Sequence, residues 1–439
     1  MQPLAIVLNM YYTGLGIARS LGENGIPVIG LSAQSGLYGN VTRYAEVRIC
    51  PDSRTHPEEL SRFLMELGQG SATRKMIIFP TRDDDIVFLD RYREELERHF
   101  VMAIPSRPAI RACLDKWETT RWAEAVGISI PKTWVVTGAE DLPAVLEQVT
   151  YPCVLKPVAA YDWRRGQNWA LVGGRKAIGV ASREEFLQEF QLVSAAEKRV
   201  LVQELVQGDD NQLFVAGCFC NGESEITTQF TARKLMQIPE GFGTGCIVQA
   251  AECPEILPLA QRLLRAIRFT GIAELEFKRD RSDGSYKLIE INARPWDQHR
   301  LGHACGADVI YAAYRHYAGL DPAASGARGA TAVEPHRQPK WIAEDAFAMA
   351  VLRGLWKKDP SVRRLLRASR GKRMFAIWSA ADPLPSVVWA VAFSARLAAN
   401  ACAHLAGWFG RTWSSCSRSQ RPAPPETKGY EFQNGKGKL

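Results

Sequence analysis

A chain of 439 residues with 46% hydrophobic and 23% charged content is long enough for two or three domains with real cores, which excludes a disordered or low-complexity protein. Its formal charge of +8 leans towards the C-terminal third, so anionic substrates, nucleotides and membrane surfaces all remain compatible. Ten scattered cysteines, with no C-x-x-C pair and no histidine at zinc spacing, read as reduced thiols of a cytoplasmic protein.

The opening MQPLAIVLNMYY has no basic region and no small-residue cleavage site, so it reads as a first strand rather than a signal peptide. A strand at 4–9, a helix at 17–24 and a strand at 27–31 give the βαβ opening of an α/β fold. Gly14-x-Gly16 between them lacks the complete dinucleotide fingerprint, and no acid closes the second strand. The pair is expected to mark a strand-to-helix turn. A further strand at 76–80 runs into Thr81-Arg82-Asp83-Asp84-Asp85. Thr81 and Arg82 stand where ligands meet the ends of parallel strands; an acidic cap on a helix at 86–96 accounts for the acids equally well.

Lys116 precedes an amphipathic helix at 118–126, a place where lysines are ordinarily solvated. Tyr151-Pro152-Cys153-Val154-Leu155-Lys156-Pro157 is sharper: it sets one lysine at the end of an apolar strand, held between Leu155 and a proline. Phosphate binding by a point charge requires such a positioned cation. The loop at 159–174, AAYDWRRGQNWALVGG, offers Arg164 and Arg165 either to a ligand or to solvent. A strand at 200–206 turns through Gln207-Gly208-Asp209-Asp210 into another at 211–218. Cys218-x-Cys220 on that apolar strand reads as core filling.

Residues 271–294, GIAELEFKRDRSDGSYKLIEINAR, are the stretch around which the rest is organised. Alternation puts Glu274 and Glu276 on one face and Ala273, Leu275 and Phe277 on the other. Asp283-Gly284 marks the turn. On the return strand Glu290 and Asn292 share a face, Ile289 and Ile291 lie opposite, and Arg294 continues the polar parity. Facing carboxylates and an amide oxygen are hard donors that suit magnesium and the phosphates it carries, not zinc.

With these residues the chain resembles the ATP-grasp enzymes, and within them the carboxylate–amine ligases, especially D-aspartate ligase-like enzymes. The resemblance covers most of residues 1–320 and is strongest in the phosphate and metal motifs. It implies that Glu276, Glu290 and Asn292 bind the Mg2+ of ATP, with Mn2+ as an alternative ion, that Arg294 helps hold the transferred phosphoryl group, and that Glu274 is the lesser ligand. It further implies that Lys116 and Lys156 reach the phosphates, that Gln203, Glu204 and Val206 meet the adenine, and that Asp210 holds the ribose. The glycine-rich flap of the family is replaced here by the Trp- and Arg-rich loop at 159–174. Arg233 and Lys234, followed by IPEGFGTGC, are assigned to the carboxylate or acyl-phosphate pocket.

The implied architecture is α/β: a Rossmann-like pre-ATP-grasp domain at 1–113, then an ATP-grasp domain at 114–320. The latter divides into a small subdomain with Lys156 at 114–205 and a metal-binding subdomain at 206–320. A helical C-terminal extension at 321–413, with 341–370 basic and helical, and a disordered tail at 414–439 follow. The implied activity is ATP-dependent joining of a small-molecule carboxylate to an amine through an acyl phosphate, without nucleic acid. An ATP-grasp kinase-like phosphotransferase and a non-catalytic ATP-binding regulator are the alternatives. No general base stands out, and His299 is the candidate. The apolar helix at 386–408 is interrupted by Arg396, which disfavours a full membrane span. Packing or self-association, as in a homodimer, and peripheral membrane contact are its two open readings.

Overall fold

The computed structural model describes residues 2–70, 75–138, 140–159, 161–164, 166–320, 328–329 and 338–399. The expected tail, Arg165 and the end of the 386–408 helix lie outside the described residues. The chain divides into a compact unit, Met1–Trp389, and a second unit beginning at Ala390, whose described residues, 390–399, are helical.

The first sheet is parallel, with β1 (Ala5–Leu8), β2 (Val28–Ser32), β3 (Glu46–Ile49), β4 (Met76–Phe79) and β5 (Phe100–Met102) in the order β3-β2-β1-β4-β5. Every residue of β1 and β4 is buried, which is why AIVL and MIIF are unbroken apolar runs. Edge strand β3 is polar and largely exposed, as suits an unpaired edge. The first helix spans Tyr12–Glu23, so it starts before residue 17 and takes both glycines inside. A β-carbon at Gly14 would lie 1.8 Å from the Asn9 carbonyl oxygen, and one at Gly16 would lie 2.7 Å from the His299 ring. The glycines therefore permit close packing of the helix.

The second sheet is antiparallel, with β6 (Thr133–Val136), β7 (Cys153–Pro157), β8 (Ile178–Val180) and β9 (Val200–Glu204) in the order β6-β9-β7-β8. The third contains β10 (Leu213–Cys220), β11 (Ile226–Ile238), β12 (Thr244–Ala250), β13 (Gly271–Arg279), β14 (Tyr286–Asn292), β15 (Arg328–Gly329), β16 (Lys340–Ile342) and β17 (Arg373–Phe375). Its order is β14-β13-β10-β11-β12-β16-β17, with β15 paired to β11.

Strands β16 and β17 add two short strands to the helical extension expected at 321–413. Trp341 and Ile342 are buried, and Ile342 pairs with Ile247 of β12, so an apolar pair inside a basic segment is drawn into the sheet. Helices Glu344–Trp356 and Ser361–Ala368 lie between the two strands. The segment after β17 is tied to the first helix: Arg19 donates from Nε to Asp382 at 3.0 Å and from its terminal nitrogen to the Ile377 carbonyl at 2.7 Å.

Candidate active site

A cavity of about 380 Å³ opens between the second and third sheets, a volume suited to a small-molecule ligand. Strand β7 contributes Lys156, the end of β9 contributes Gln203 and Glu204 followed by Leu205 and Val206, β11 contributes Lys234, and the β13–β14 hairpin contributes Glu274, Glu276, Glu290 and Asn292. Lys116, at the start of helix Lys116–Ala125, and Arg294 also line it.

Register explains the hairpin. Glu276 stands opposite Glu290 and Glu274 opposite Asn292, so four polar side chains occupy two adjacent rungs on one face. Between Glu276 and Phe277 the ladder shifts, because Phe277 pairs with Leu288. Ile289 is the extra residue of this bulge. It lines the cavity instead of the core, correcting the expected alternation, while Leu288 and Ile291 are the buried pair. Bulges re-aim side chains in this way beside functional sites.

Several of the polar groups are held by neighbours. Asn292 Nδ2 donates to Glu274 Oε2 at 2.9 Å, and Arg294 donates to Asn292 Oδ1 at 3.2 Å and to Asp83 Oδ1 at 2.7 Å. Lys234 Nζ donates to Glu276 Oε1. Lys156 Nζ donates to Gln203 Oε1 at 2.8 Å, and Gln203 Nε2 donates to Thr133 at 3.0 Å. The Glu204 carboxylate accepts the Lys132 amide at 3.1 Å.

Charge is divided within the cavity. Burial opposes ionisation of Glu290, but Lys116, Lys234, Lys156 and Lys176 outweigh it and hold the carboxyl below its ordinary value. Burial together with Glu276 pushes Glu274 up. Burial lowers the Lys156 ammonium to about 8 despite Glu290. For Lys234 the neighbouring Glu276 and Glu274 overcome burial and keep the ammonium charged. Thus Glu290 is the firmly ionised acid of the hairpin, and Glu274 is poised to be neutral.

Three expected residues are directed elsewhere. Arg233 immediately precedes Lys234 on β11, so alternation turns it to the opposite face; it pairs with Phe214 and does not line the cavity. Asp210 opens a short 3-10 turn, Asp210–Gln212, and its carboxylate accepts from Gln237 N at 2.8 Å, Gln237 Nε2 at 2.9 Å and Gly241 N at 3.1 Å. It anchors the 237–241 loop from outside the cavity. His299 is buried against the first helix and bonded through Nδ1 to the Trp296 carbonyl at 2.6 Å, and burial lowers it to about 4.

Lys176 and Asp83 also line the cavity, and neither carries a site signal in the sequence. Lys176 follows Gly173 and Gly174, which signalled only a loop. Asp83 sat in an acidic run that a helix cap explained. Asp85, the third residue of helix Asp83–Arg91, reaches back and accepts from the Thr81 and Arg82 amides at 3.1 and 3.0 Å, while Arg82 is occupied by Asp85 and Asp52. Asp83 instead meets Arg294, 211 positions later. Trp163, Arg164 and Trp169 line the cavity from the loop that replaces a glycine-rich flap.

Among the described residues no three His, Cys, Asp or Glu side chains are grouped to hold a metal ion by themselves. The donor set nevertheless fits magnesium, which is bound through one or two carboxylates plus phosphates and waters. Glu276 and Glu290 are the carboxylates, Asn292 adds an amide oxygen, and Glu274 Oε1 is buried without a partner.

No family model matches the chain. Its sequence is similar to a D-aspartate ligase of Enterococcus faecium, 24% identical over 229 residues, covering 51% of this chain and 54% of that protein. It is also similar to a D-alanine–D-alanine ligase of Thermoanaerobacter sp., 25% identical over 198 residues, covering 42% of this chain and 52% of the relative. The chain thus spans about half the length of the curated relatives it matches. Its fold is similar to that of a biotin carboxylase–β,γ-ATP complex from Campylobacter jejuni, with a TM-score of 0.58 at 16% identity over 73% of this chain and 72% of the other. With three sheets in this order and the acidic hairpin facing a strand-end lysine, the chain carries the ATP-grasp fold.

Proposed function

We propose that the chain is an ATP-dependent, ADP-forming carboxylate–amine ligase acting on small molecules, with an amino acid or peptide-like substrate. The observation that carries this is Glu290, one ionised carboxylate set among Lys116, Lys156, Lys176 and Lys234 and directly opposite Glu276. Phosphoryl transfer needs mainly positioning and charge neutralisation. In this reading Gln203, Glu204 and Val206 receive the base, Lys116 and Lys156 the phosphates, and Glu276, Glu290 and Asn292 a Mg2+ ion, with Mn2+ as an alternative. The metal supplies Lewis-acid neutralisation of phosphate oxygens.

Arg294, braced by Asp83, is placed to bind the phosphoryl group as it moves. Lys234, clamped by Glu276, turns a charged end towards the same space. A substrate carboxylate oxygen attacks the γ-phosphorus, the β–γ bridging bond breaks, and ADP departs. An amine then attacks the acyl carbon, phosphate leaves with the bonding electrons, and the amine proton passes to solvent or phosphate.

The proposal includes a cytoplasmic setting, which suits the eight free cysteines of the described residues. It also includes a partner for the helix at 384–399, a second copy or a membrane surface through 386–408, since Leu384, Val387 and Val391 are exposed. The test of activity is ADP release with amino acids supplied singly and in pairs. Release that requires both a carboxylate and an amine supports ligation; release with a carboxylate alone makes it a phosphotransferase, and none with any pair leaves a binding protein.

A further inference from the structure

Leu355 and Trp356, at the end of helix Glu344–Trp356, are apolar yet 61% and 79% exposed. Their exposure is built in. The two helices of this hairpin touch at Gly354, where a β-carbon would lie 2.2 Å from Val362 Cγ2. Lys358 turns the chain with a φ of +54°, and Asp359 Oδ1 accepts the Ser361 amide at 2.8 Å. Val362 and Leu365 are turned inward, and Leu365 packs with Met236, Cys246 and Ile247 of the large sheet. The hairpin is therefore seated on the sheet by its inner face, and Leu352, Leu355, Trp356 and Leu366 are left outside.

The same hairpin concentrates positive charge. Residues 352–373 contain nine of the 55 basic residues and one of the 47 acidic ones, leaving 46 of each in the rest of the chain. The formal charge of +8 thus equals the charge of these 22 residues. All nine basic side chains are exposed. Arg364 is engaged with Glu240, and Lys357, Lys358, Arg363, Arg367 and Arg370 stand exposed along the same segment.

We propose that this hairpin docks on an anionic lipid surface, its Trp and Leu side chains entering the headgroup boundary and its basic rim facing the phosphates. Tryptophan and leucine bordered by lysine and arginine are the composition of interfacial helices. A nucleic-acid surface would use the same cations but leaves four exposed apolar side chains without a purpose. Among the described residues no helix is long and apolar enough to cross a membrane, and docking requires no crossing. The inference rests on neither the ligase reading nor the 386–408 helix.

The test is co-sedimentation of the full chain with phosphatidylcholine vesicles containing about a third phosphatidylglycerol, compared with pure phosphatidylcholine and with added salt. Binding to the anionic vesicles alone, weakened by salt, is expected. Arg363→Glu/Arg367→Glu/Arg370→Glu and, separately, Leu355→Ser/Trp356→Ser are each expected to lower the partition coefficient by about tenfold or more. Unchanged melting temperatures would confirm that both variants are folded, and Arg→Gln versions replace any that are not. Absence of vesicle binding, or binding that survives both variants, overturns the proposal. So does duplex DNA binding that ignores Trp356, or a dimer lost with Leu355→Ser/Trp356→Ser while vesicles are never bound.

Discussion

Asn292 donates its Nδ2 to Glu274 Oε2 at 2.9 Å while its Oδ1 accepts from Arg294 at 3.2 Å. Both ends of the amide are therefore fixed, and the carbonyl oxygen offered to a cation is oriented by the residue directly opposite. Glu274 acts here as an acceptor that does not need its charge.

Glu274→Gln is accordingly expected to keep ADP-forming turnover within about tenfold, whereas Glu274→Ala, which frees the Asn292 amide, loses more. The pH dependence has a definite sign. Burial and Glu276 raise the folded-state value of Glu274, so the folded chain holds a proton that the unfolded chain releases. Its stabilising contribution is complete below the unfolded carboxylate range and declines as pH rises towards the raised value. Melting temperatures should show the Gln variant gaining on the parent between pH 5 and pH 8. Parallel curves would mean that Glu274 is ionised throughout.

Glu290 is the opposite case, a carboxylate kept ionised by four lysines. Replacing it by Gln leaves those cations facing one another and removes one of two charged oxygen donors. Magnesium-dependent ATP turnover should fall by about 10²-fold or more, with the far-ultraviolet circular dichroism of the parent retained. Turnover at the parent level would remove Glu290 from the metal-binding role.

The hairpin was legible because period-two alternation is a backbone property: Glu274, Glu276, Glu290 and Asn292 share a face as the sequence spacing predicts. Ile289 was not, since a bulge depends on how two strands pair and leaves no signal in one of them. Arg233 and Lys234 were read together as a pair of cations, although the same alternation sends neighbours to opposite faces. Asp83 could be matched to Arg294 only by the fold, which joins the end of a parallel strand to the exit of a hairpin far along the chain. Strands β16 and β17 were hidden because three residues are too few to show a period.

The contact between Arg19 and Asp382 predicts that the residues after β17 are part of the folded body. Asp382 also accepts from Thr42 Oγ1 at 2.6 Å and from the Arg43 amide at 3.0 Å, and both members of the ion pair are buried. Arg19→Met leaves a buried carboxylate without its cation. Chemical denaturation should report a loss of about 3–5 kcal/mol. Arg19→Met with Asp382→Asn should recover part of it, because the stranded charge is gone. A loss under about 1 kcal/mol for the single variant would place the pair among surface-like salt bridges.

Lys156 gives the site a pH dependence of its own. Burial at the end of β7 lowers its ammonium to about 8, with Glu290 only partly opposing the shift. At pH 7 the group is charged and offers a proton to Gln203 or to a phosphate oxygen; above pH 8 the free protein loses that charge. Binding of an ATP analogue, measured by calorimetry, should therefore weaken as pH rises from 7 to 9, approaching tenfold per unit at the steepest. Lys156→Met should weaken it by about 1.5–3 kcal/mol at pH 7, roughly 10- to 100-fold, and reduce the slope. Lys176, also lowered by burial, supplies the residual slope. Lys156→Arg separates charge from proton: guanidinium remains protonated to pH 9, so this variant should bind more evenly with pH than the parent. An analogue affinity that is level with pH in the parent would mean that Lys156 does not touch the phosphates.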